Sequence, residues 1–263
     1  MNKTVLVTGA SSGIGRAFCE AFAQQGDHLI MVSRTIDPLK KLAKQLEENC
    51  SIKTLVIAKN LARKNAAFEV LDEIKRHELS VDILVNNAGI NNSGLFLSIP
   101  FPQLQQEMAL NMVTLTNLTY LFLQEMEKHH AGIIINVASI VSFFPTPYES
   151  VYGATKAYVL AFSEALHYEY KDNGIKVFAI CPGITKTNLF ANKELDLSKA
   201  RSTQQVVKTA LKAINQDKHF AVDGALNMIQ SHFLRLFPRW FVLKTTGLEG
   251  KKATNANDKT LEE

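Results

Sequence analysis

Short, almost wholly apolar runs alternate along this chain with longer stretches in which apolar residues recur at helical spacing. The short runs have the length of buried strands and the longer ones that of helices. This alternation predicts βαβ units built around a parallel sheet. The predicted strands cover residues 4–8, 28–33, 53–58, 81–85, 132–138, 176–180 and 219–222, and the predicted helices cover 13–25, 38–48, 64–77, 102–128, 152–170 and 203–216.

Local signals set the ends of these elements. Asp37 and Pro38 have the order of an N-cap followed by proline at the first helical position, while Gly26 and Gly174 stand where helices should stop. The fold class predicted is α/β: a Rossmann-type, doubly wound, seven-stranded parallel sheet with helices on both faces. We expect one domain over residues 1–224, a C-terminal helical extension over 225–250 and a flexible tail over 251–263.

Composition excludes several classes of protein. The chain has 263 residues, of which 46% are hydrophobic and 21% charged, as in an ordinary globular domain. Three cysteines without metal spacing suit a reducing, cytoplasmic location, and scattered histidines predict no metal site. The first apolar run is too short for a signal peptide, no run is long enough to cross a membrane, and no nucleic-acid motif is present.

The C-terminal part concentrates charge and apolar residues together. Five basic residues and one acid lie between Arg235 and Lys252, which equals the net charge of +4 of the whole chain. Apolar residues from 226 to 243 recur at helical spacing, and Pro238 should divide them into two short helices, the second ending near Gly247. One interpretation is a cap over the substrate mouth or a subunit contact; the other is peripheral contact with an anionic membrane.

A glycine-rich turn follows the first predicted strand. Gly9, Gly13 and Gly15 allow the backbone to approach a pyrophosphate, next to the positive end of the first helix. Its place in the first βα junction is the context that a dinucleotide-binding loop requires. At the end of the second strand, where an NAD site has an acid, the chain has Ser33 and Arg34. This favours NADP(H) over NAD(H).

Chemistry is indicated by Tyr152 and Lys156, which lie one turn apart on a predicted helix. An ammonium beside a phenol favours the phenolate, so we expect Lys156 to lower the pKa of Tyr152 and make it an acid–base group. Ser139, at the end of a predicted strand, supplies a hydroxyl for a substrate oxygen.

Taken in order, these motifs resemble the short-chain dehydrogenase/reductase family, with a match from about residue 3 to about residue 224. The motifs are the glycine turn from Thr8 to Gly15, Asn86-Asn87-Ala88-Gly89, Asn111, Ser139, Tyr152-x-x-x-Lys156 and Pro182-Gly183. The resemblance implies that Asn111, Ser139, Tyr152 and Lys156 are catalytic, with Asn111 distorting its helix and holding a relay water. It also implies a homodimer or homotetramer, formed through the helices that begin near Pro102 and Tyr152.

The resemblance further implies a set of cofactor-binding residues along the carboxyl edge of the sheet. Asn60 and Leu61 stand where the family has an acid against adenine; the Asn60 amide oxygen can still accept that hydrogen bond. The full set is Gly9, Ser11, Ser12, Gly13, Ile14, Gly15, Ser33, Arg34, Asn60, Leu61, Asn87, Ala88, Gly89, Tyr152, Lys156, Pro182, Gly183, Ile184, Thr185 and Thr187.

On the substrate side the candidates are mostly apolar, which favours a small apolar carbonyl compound or alcohol. They are Ser139, Phe143, Phe144, Tyr148 and Phe190. The function expected is therefore NADP(H)-dependent interconversion of a ketone and a secondary alcohol. The alternatives are a non-catalytic NADP(H)-binding sensor and a membrane-peripheral scaffold.

Overall fold

The computed structural model describes residues 2–187 and 200–259. Seven strands form one parallel sheet in the order β3-β2-β1-β4-β5-β6-β7, so the predicted fold class and parallel sheet are confirmed. The strand order reverses between β1 and β4, where a doubly wound sheet opens a crevice. The strands are β1 Thr4–Thr8, β2 His28–Ser33, β3 Thr54–Ala58, β4 Ile83–Asn86, β5 Gly132–Val137, β6 Ile175–Cys181 and β7 Phe220–Val222.

The helices pack on both faces of the sheet. The second helix begins two residues earlier than the sequence predicts, because Thr35 rather than Asp37 is its N-cap. Pro38 is tolerated there because the first N–H groups of a helix have no partner within it. The helices are α1 Gly13–Gln24, α2 Ile36–Cys50, α3 Ala66–Arg76, α4 Phe101–Met108, α5 Leu115–His129, α6 Ser150–Tyr170, α7 Thr203–Asn215, α8 Ala225–Phe233 and α9 Arg239–Lys259.

Alternate residues of the strands supply two separate cores. Val5 and Val7 of β1 pack on one face of the sheet with Phe18 of α1, while Leu6 packs on the other face. Each of these four side chains is fully buried. Burial on both faces explains why the strands appear in the sequence as continuous apolar runs rather than as alternating ones.

One predicted helix is locally widened. Between α4 and α5 the residues Ala109–Thr114 form a π-helical segment that contains Asn111. Such segments are rare and often lie at functional sites. The predicted distortion of the helix at Asn111 is therefore confirmed.

The C-terminal part forms α8, a short 3-10 turn at Leu234–Leu236 and α9. The predicted break at Pro238 is confirmed, but the prediction that the second helix ends near Gly247 is wrong. Gly247 and Gly250 face Pro147, and a Cβ on Gly250 would lie 2.6 Å from the Pro147 carbonyl oxygen. These glycines therefore permit close packing, and the helix continues through residues 251–259 of the segment predicted as a flexible tail.

No helix among the described residues is long and apolar enough to span a bilayer.

A chain of buried polar side chains ties the centre of the sheet to two helices. Asn86 of β4 donates to Thr119 Oγ1 of α5 (3.0 Å) and to Asn136 Oδ1 of β5 (2.9 Å). Asn136 in turn donates to Ser163 Oγ of α6 (2.9 Å). Since a buried polar group without a partner costs free energy, these hydrogen bonds fix the positions of α5 and α6 against the sheet.

Replacing Asn136 tests this chain. Asn136→Ala removes an acceptor from Asn86 and a donor from Ser163, so we expect a loss of about 2–4 kcal/mol in the free energy of unfolding. Urea denaturation measures it. Thr116→Val is the control, because it removes an exposed hydrogen bond between Thr116 and Tyr158 and should cost less than about 0.5 kcal/mol. Equal losses in the two variants would contradict the assignment.

Candidate active site

A cavity of about 620 Å³ opens at the carboxyl edge of the sheet and extends along the ends of β1 to β6. Most of the predicted cofactor-binding residues line it. Two do not: Gly15 lies beneath the turn, and Ile184 is 43% exposed outside the lining. The predicted residues in the lining are Gly9, Ser11, Ser12, Gly13, Ile14, Ser33, Arg34, Asn60, Leu61, Asn87, Ala88, Gly89, Tyr152, Lys156, Pro182, Gly183, Thr185 and Thr187.

The glycine turn has a geometry that other residues would strain. Gly9 and Gly13 have φ angles of +66° and +57°, in the left-handed region that favours glycine. A Cβ on Gly15 would lie 2.3 Å from the Gly9 carbonyl oxygen. Gly15 therefore allows α1 to begin directly under the turn, which presents the N-terminus of α1 to the cavity.

The segment after β4 is tied to the end of β1. Thr8 Oγ1 accepts hydrogen bonds from the backbone N–H groups of Asn87 (2.9 Å) and Ala88 (3.0 Å). The Asn87 side chain donates to the Thr8 carbonyl oxygen at 2.8 Å. These bonds hold together the loops that follow β1 and β4, the two strands between which the strand order reverses.

Basic residues meet at one end of the cavity. Arg34 follows β2 and Lys59 follows β3, and the pairing of Ser33 with Ala58 makes these strand ends neighbours. Lys59 forms an ion pair with Glu69 at 2.7 Å. Asn60 Oδ1 accepts a hydrogen bond from the backbone N–H of Ala62 at 3.1 Å, so this turn uses the oxygen that we expected to face adenine.

Sequence reasoning missed Lys59 and Thr35 in this region. Both line the cavity, directly beside the predicted residues Asn60 and Arg34. The rule that carboxyl ends of neighbouring parallel strands converge on the ligand would have found Lys59.

The four residues predicted to be catalytic lie together. Ser139 and Tyr152 line the cavity and are almost fully buried. The Lys156 ammonium donates to the Val137 carbonyl oxygen at 2.7 Å and lies 5.7 Å from the centre of the Tyr152 ring. Asn111 is buried behind them, 1% exposed.

Asn111 connects the loop after β4 to helix α6. Its Oδ1 accepts from the Ile90 N–H (3.0 Å), and its Nδ2 donates to the Ile90 carbonyl oxygen (2.9 Å). The same Nδ2 donates to Thr155 Oγ1 of α6 at 3.1 Å. Thr155 lies between Tyr152 and Lys156, so one amide positions both the loop and the helix.

The structure does not bring all predicted substrate residues to the cavity. Ser139 lines it, whereas Phe143, Phe144 and Tyr148 do not, and Phe190 lies outside the described residues. Phe143 packs against Phe220, with ring centres 5.7 Å apart, and belongs to a small core beside β6.

Polar side chains that the sequence analysis did not identify line the cavity. Asn91 and Asn92 lie in the loop after β4, directly beyond Ile90, and Gln103 and Gln106 lie on α4. The cavity is therefore less apolar than the sequence predicts. No motif marks these four amides, and only the packing of α4 against the loop brings them together.

The short chain dehydrogenase family model matches residues 3–198. This chain belongs to the short-chain dehydrogenase family. It is 30% identical to the very-long-chain 3-oxoacyl-CoA reductase of Rattus norvegicus, over 93% of this chain and 78% of that protein. It is also 30% identical to the 17-beta-hydroxysteroid dehydrogenase type 3 of Homo sapiens, over 91% of this chain and 77% of that protein.

A solved structure agrees with this membership. A short-chain dehydrogenase from Sphingobium yanoikuyae, in complex with NADPH, superposes with a TM-score of 0.79 at 30% identity, covering 90% of this chain and 97% of that one. The protein is therefore an oxidoreductase acting on CH–OH groups.

Burial shifts the pKa values of the two central groups of this short-chain dehydrogenase in opposite directions. It raises the pKa of Tyr152 well above its ordinary value, with a further contribution from the charge of Glu149, while a hydrogen bond with Ser139 opposes the rise. It lowers the pKa of Lys156 to about 8. The expected lowering of the Tyr152 pKa by Lys156 is not found, because loss of hydration destabilises both charged forms.

A buried acid lies next to this pair. Glu107 of α4 is fully buried and accepts a hydrogen bond from Asn92 Nδ2 at 2.9 Å. Burial raises its pKa, although the Asn92 hydrogen bonds oppose this. Glu149 accepts from Asn91 Nδ2 at 3.1 Å. The carboxyl groups of Glu149 and Glu107 thus bind the side chains of Asn91 and Asn92. These residues directly follow Ile90, which Asn111 binds.

The residues present fit a nicotinamide dinucleotide. Gly9 and Gly13 place no side chain in the turn, and a Cβ on Gly13 would lie 3.2 Å from Thr187 Cγ2. Arg34 and Lys59 stand at one end, and the phenol of Tyr152 and the ammonium of Lys156 stand at the other. The distribution of charge and small residues therefore corresponds to a ligand with phosphates towards Arg34 and a reactive ring towards Tyr152.

The shifted pKa of Lys156 predicts how stability depends on pH. Because its folded-state pKa of about 8 lies below the ordinary value of 10.5, the unfolded chain binds more protons between these limits. Lys156 should therefore contribute a rise in the free energy of unfolding with pH in that window, by up to about 1.4 kcal/mol per pH unit. Burial also raises the pKa of the Cys19 thiol, which contributes a fall with rising pH, so the contribution of Lys156 is the difference between the pH dependence of wild type and that of Lys156→Met. Urea denaturation between about pH 8 and about pH 9.5 measures it, below the range in which tyrosines of the unfolded chain ionise.

Lys156→Met should lose this contribution, whereas Lys40→Met, at an exposed lysine of α2, should keep it. The same pH dependence in wild type and Lys156→Met would show that Lys156 is not the group responsible.

Proposed function

We propose that this protein is an NADP(H)-dependent carbonyl reductase that interconverts a ketone and a secondary alcohol on a large, lipid-like substrate. The observation that carries the proposal is the convergence of Ser139, Tyr152 and Lys156 on a cavity whose other end is a glycine turn beside Arg34. A binding protein needs the turn and the basic residue. It does not need a buried phenol beside a buried ammonium.

The bound cofactor supplies a hydride at the nicotinamide ring. In reduction, Tyr152 gives its proton to the carbonyl oxygen; in oxidation, it removes the proton from the alcohol. A raised Tyr152 pKa keeps the phenol protonated, which suits the reductive direction. Ser139 holds the substrate oxygen, and Lys156 binds the hydroxyl groups of the nicotinamide ribose. Asn111 holds the loop at Ile90 in a fixed position relative to the helix that carries Tyr152.

The preference for NADP(H) follows from charge. The end of β2 carries Arg34 and no acid, and Lys59 stands at the neighbouring strand end. A guanidinium binds a ribose 2′-phosphate strongly, whereas a carboxylate is the usual partner of a free 2′-hydroxyl. The solved relative in complex with NADPH supports the same preference.

The substrate class is argued from the relatives and from the cavity. The names of the two relatives indicate a long acyl thioester and a steroid, both large ketones with extended apolar parts. The lining of the cavity, however, also includes the amides of Gln103 and Gln106. These can hydrogen-bond the polar arm of an acyl thioester, which a steroid lacks, so the 3-oxoacyl thioester is the first choice.

Turnover of a graded panel tests the reaction. NADPH oxidation is followed with 3-oxoacyl thioesters of rising chain length, steroid ketones and small cyclic diketones. We expect kcat/KM to rise with acyl length, as more apolar area is buried. Tyr152→Phe should lose at least about a thousandfold in kcat and keep its affinity for NADPH.

Two results would contradict the proposal. Turnover by Tyr152→Phe at the wild-type rate would exclude Tyr152 as the proton donor. Tight NADPH binding without turnover of any ketone on the panel would favour a sensor.

The cofactor preference is tested by a matched pair of variants. Arg34→Ala should weaken NADPH binding roughly tenfold to a hundredfold, because it removes a charge-assisted contact to phosphate, and should change NADH binding less than about threefold. Lys59→Ala is the control with the smaller effect, since Lys59 already pairs with Glu69. Titration by fluorescence or calorimetry gives both constants. Equal losses for NADPH and NADH in Arg34→Ala would remove the argument for a 2′-phosphate site.

A further inference from the structure

The C-terminal helices expose an unusual amount of apolar surface. Of the 21 large hydrophobic side chains that are exposed in the described part of the chain, nine lie between Leu226 and Leu248. Leu226 is 79% exposed, Leu236 81% and Trp240 68%. We call this surface, together with the exposed Arg239, Lys244, Lys251 and Lys252, the C-terminal patch. Patches of this kind mark an interaction site.

Helix α9 has an inner and an outer face. Val242 is buried and Thr246 donates to the Pro145 carbonyl oxygen at 3.0 Å, so this face packs on the domain. Trp240, Lys244 and Leu248 follow one another at intervals of four residues on the exposed side, and Lys251 comes three residues later. Residues three and four apart share one helix face. The outer face therefore mixes apolar and basic side chains.

We infer that the C-terminal patch docks on an anionic lipid membrane, with Trp240 and the leucines in the interface and the lysines against lipid phosphates. Tryptophan is the aromatic residue favoured at membrane interfaces, and lysine can bury its stem while its ammonium remains in the headgroup layer. Helices with aromatic and basic residues in this arrangement lie in the plane of the interface. This inference does not depend on the proposed reaction.

The charge of the patch decides between a membrane and a second copy of the chain. Residues 225–252 contain five basic residues and the single acid Glu249. A symmetric dimer through this surface would bring the same patch of two copies together and so gather the basic groups of both in one interface with few acids. An anionic bilayer instead supplies compensating charge to each of them.

The helix that carries part of the patch packs on the segment between Ser139 and Tyr152. Thr246 contacts Pro145, and Gly247 and Gly250 pack on Pro147. These prolines belong to the segment between Ser139 and Tyr152. Docking through α9 would therefore place the bilayer beside the loop that leads to both residues, where a lipid-like ketone could pass from membrane to cavity.

The chain offers its own probe, because Trp240 is its single tryptophan. The full-length protein is mixed with phosphatidylcholine vesicles that do or do not contain phosphatidylserine. Insertion should shift Trp240 emission to shorter wavelength with the serine-containing vesicles, and salt should reverse the shift by screening. The readout needs neither cofactor nor substrate, so the inference can fail while the proposed reaction holds, and the reverse.

Paired variants separate the contributions of charge and apolar contact. Lys244→Gln combined with Lys251→Gln should weaken vesicle binding in co-sedimentation roughly thirtyfold, given the attraction of each lysine to an anionic surface. Lys40→Gln combined with Lys41→Gln, at exposed positions on α2, is the matched control and should leave binding unchanged. Leu236→Ser should also weaken binding, whereas Leu97→Ser, at a side chain 93% exposed, should not.

Three results would overturn the inference. One is the absence of a Trp240 shift with serine-containing vesicles. Another is equal binding with and without phosphatidylserine. The third is a Trp240 shift that appears without lipid as protein concentration rises, together with a dimer in sedimentation, which would assign the patch to a second copy.

Discussion

The paired hydrogen bonds between Asn111 and the backbone of Ile90 hold the site together. They require the amide to point inward from a helix at a position where regular α-helical spacing is interrupted, which is what the segment Ala109–Thr114 provides. The same amide donates to Thr155, and the next residue, Lys156, donates to the Val137 carbonyl oxygen. Loosening this one contact would therefore move the loop after β4 and helix α6 relative to each other.

Burial determines the electrostatics around that contact. Tyr152 and Lys156 are both taken out of water, and each is shifted towards its neutral form. Glu107 is shifted in the same sense, and Asn92 provides its hydrogen bond. Burial that shifts each group towards its neutral form costs less free energy than burial of three unshifted charges would. It also keeps a proton on the phenol, which is where the reduction of a carbonyl needs it.

The sequence predicts the sheet and much of the site because those features depend on local signals. Continuous apolar runs mark the strands, and Gly9, Gly13 and Gly15 are required by backbone geometry that leaves few alternatives. The basic residue at Arg34 can be found because β2 ends there. Each of these is determined within a few residues of chain.

The features that sequence reasoning missed depend on packing between distant segments. Glu107 appears in the sequence as one acid of an amphipathic helix, and only the approach of Asn92 makes it a buried member of the site. Phe143 is diverted from the cavity by Phe220, which lies far along the chain. Gly247 has the composition of a helix stop, yet contact with Pro147 gives it another reason to be glycine. In each case the position of the residue is determined by a contact with a segment distant in the sequence. The pattern of neighbouring residues does not identify that contact, so the sequence alone is compatible with both a local role and a packing role.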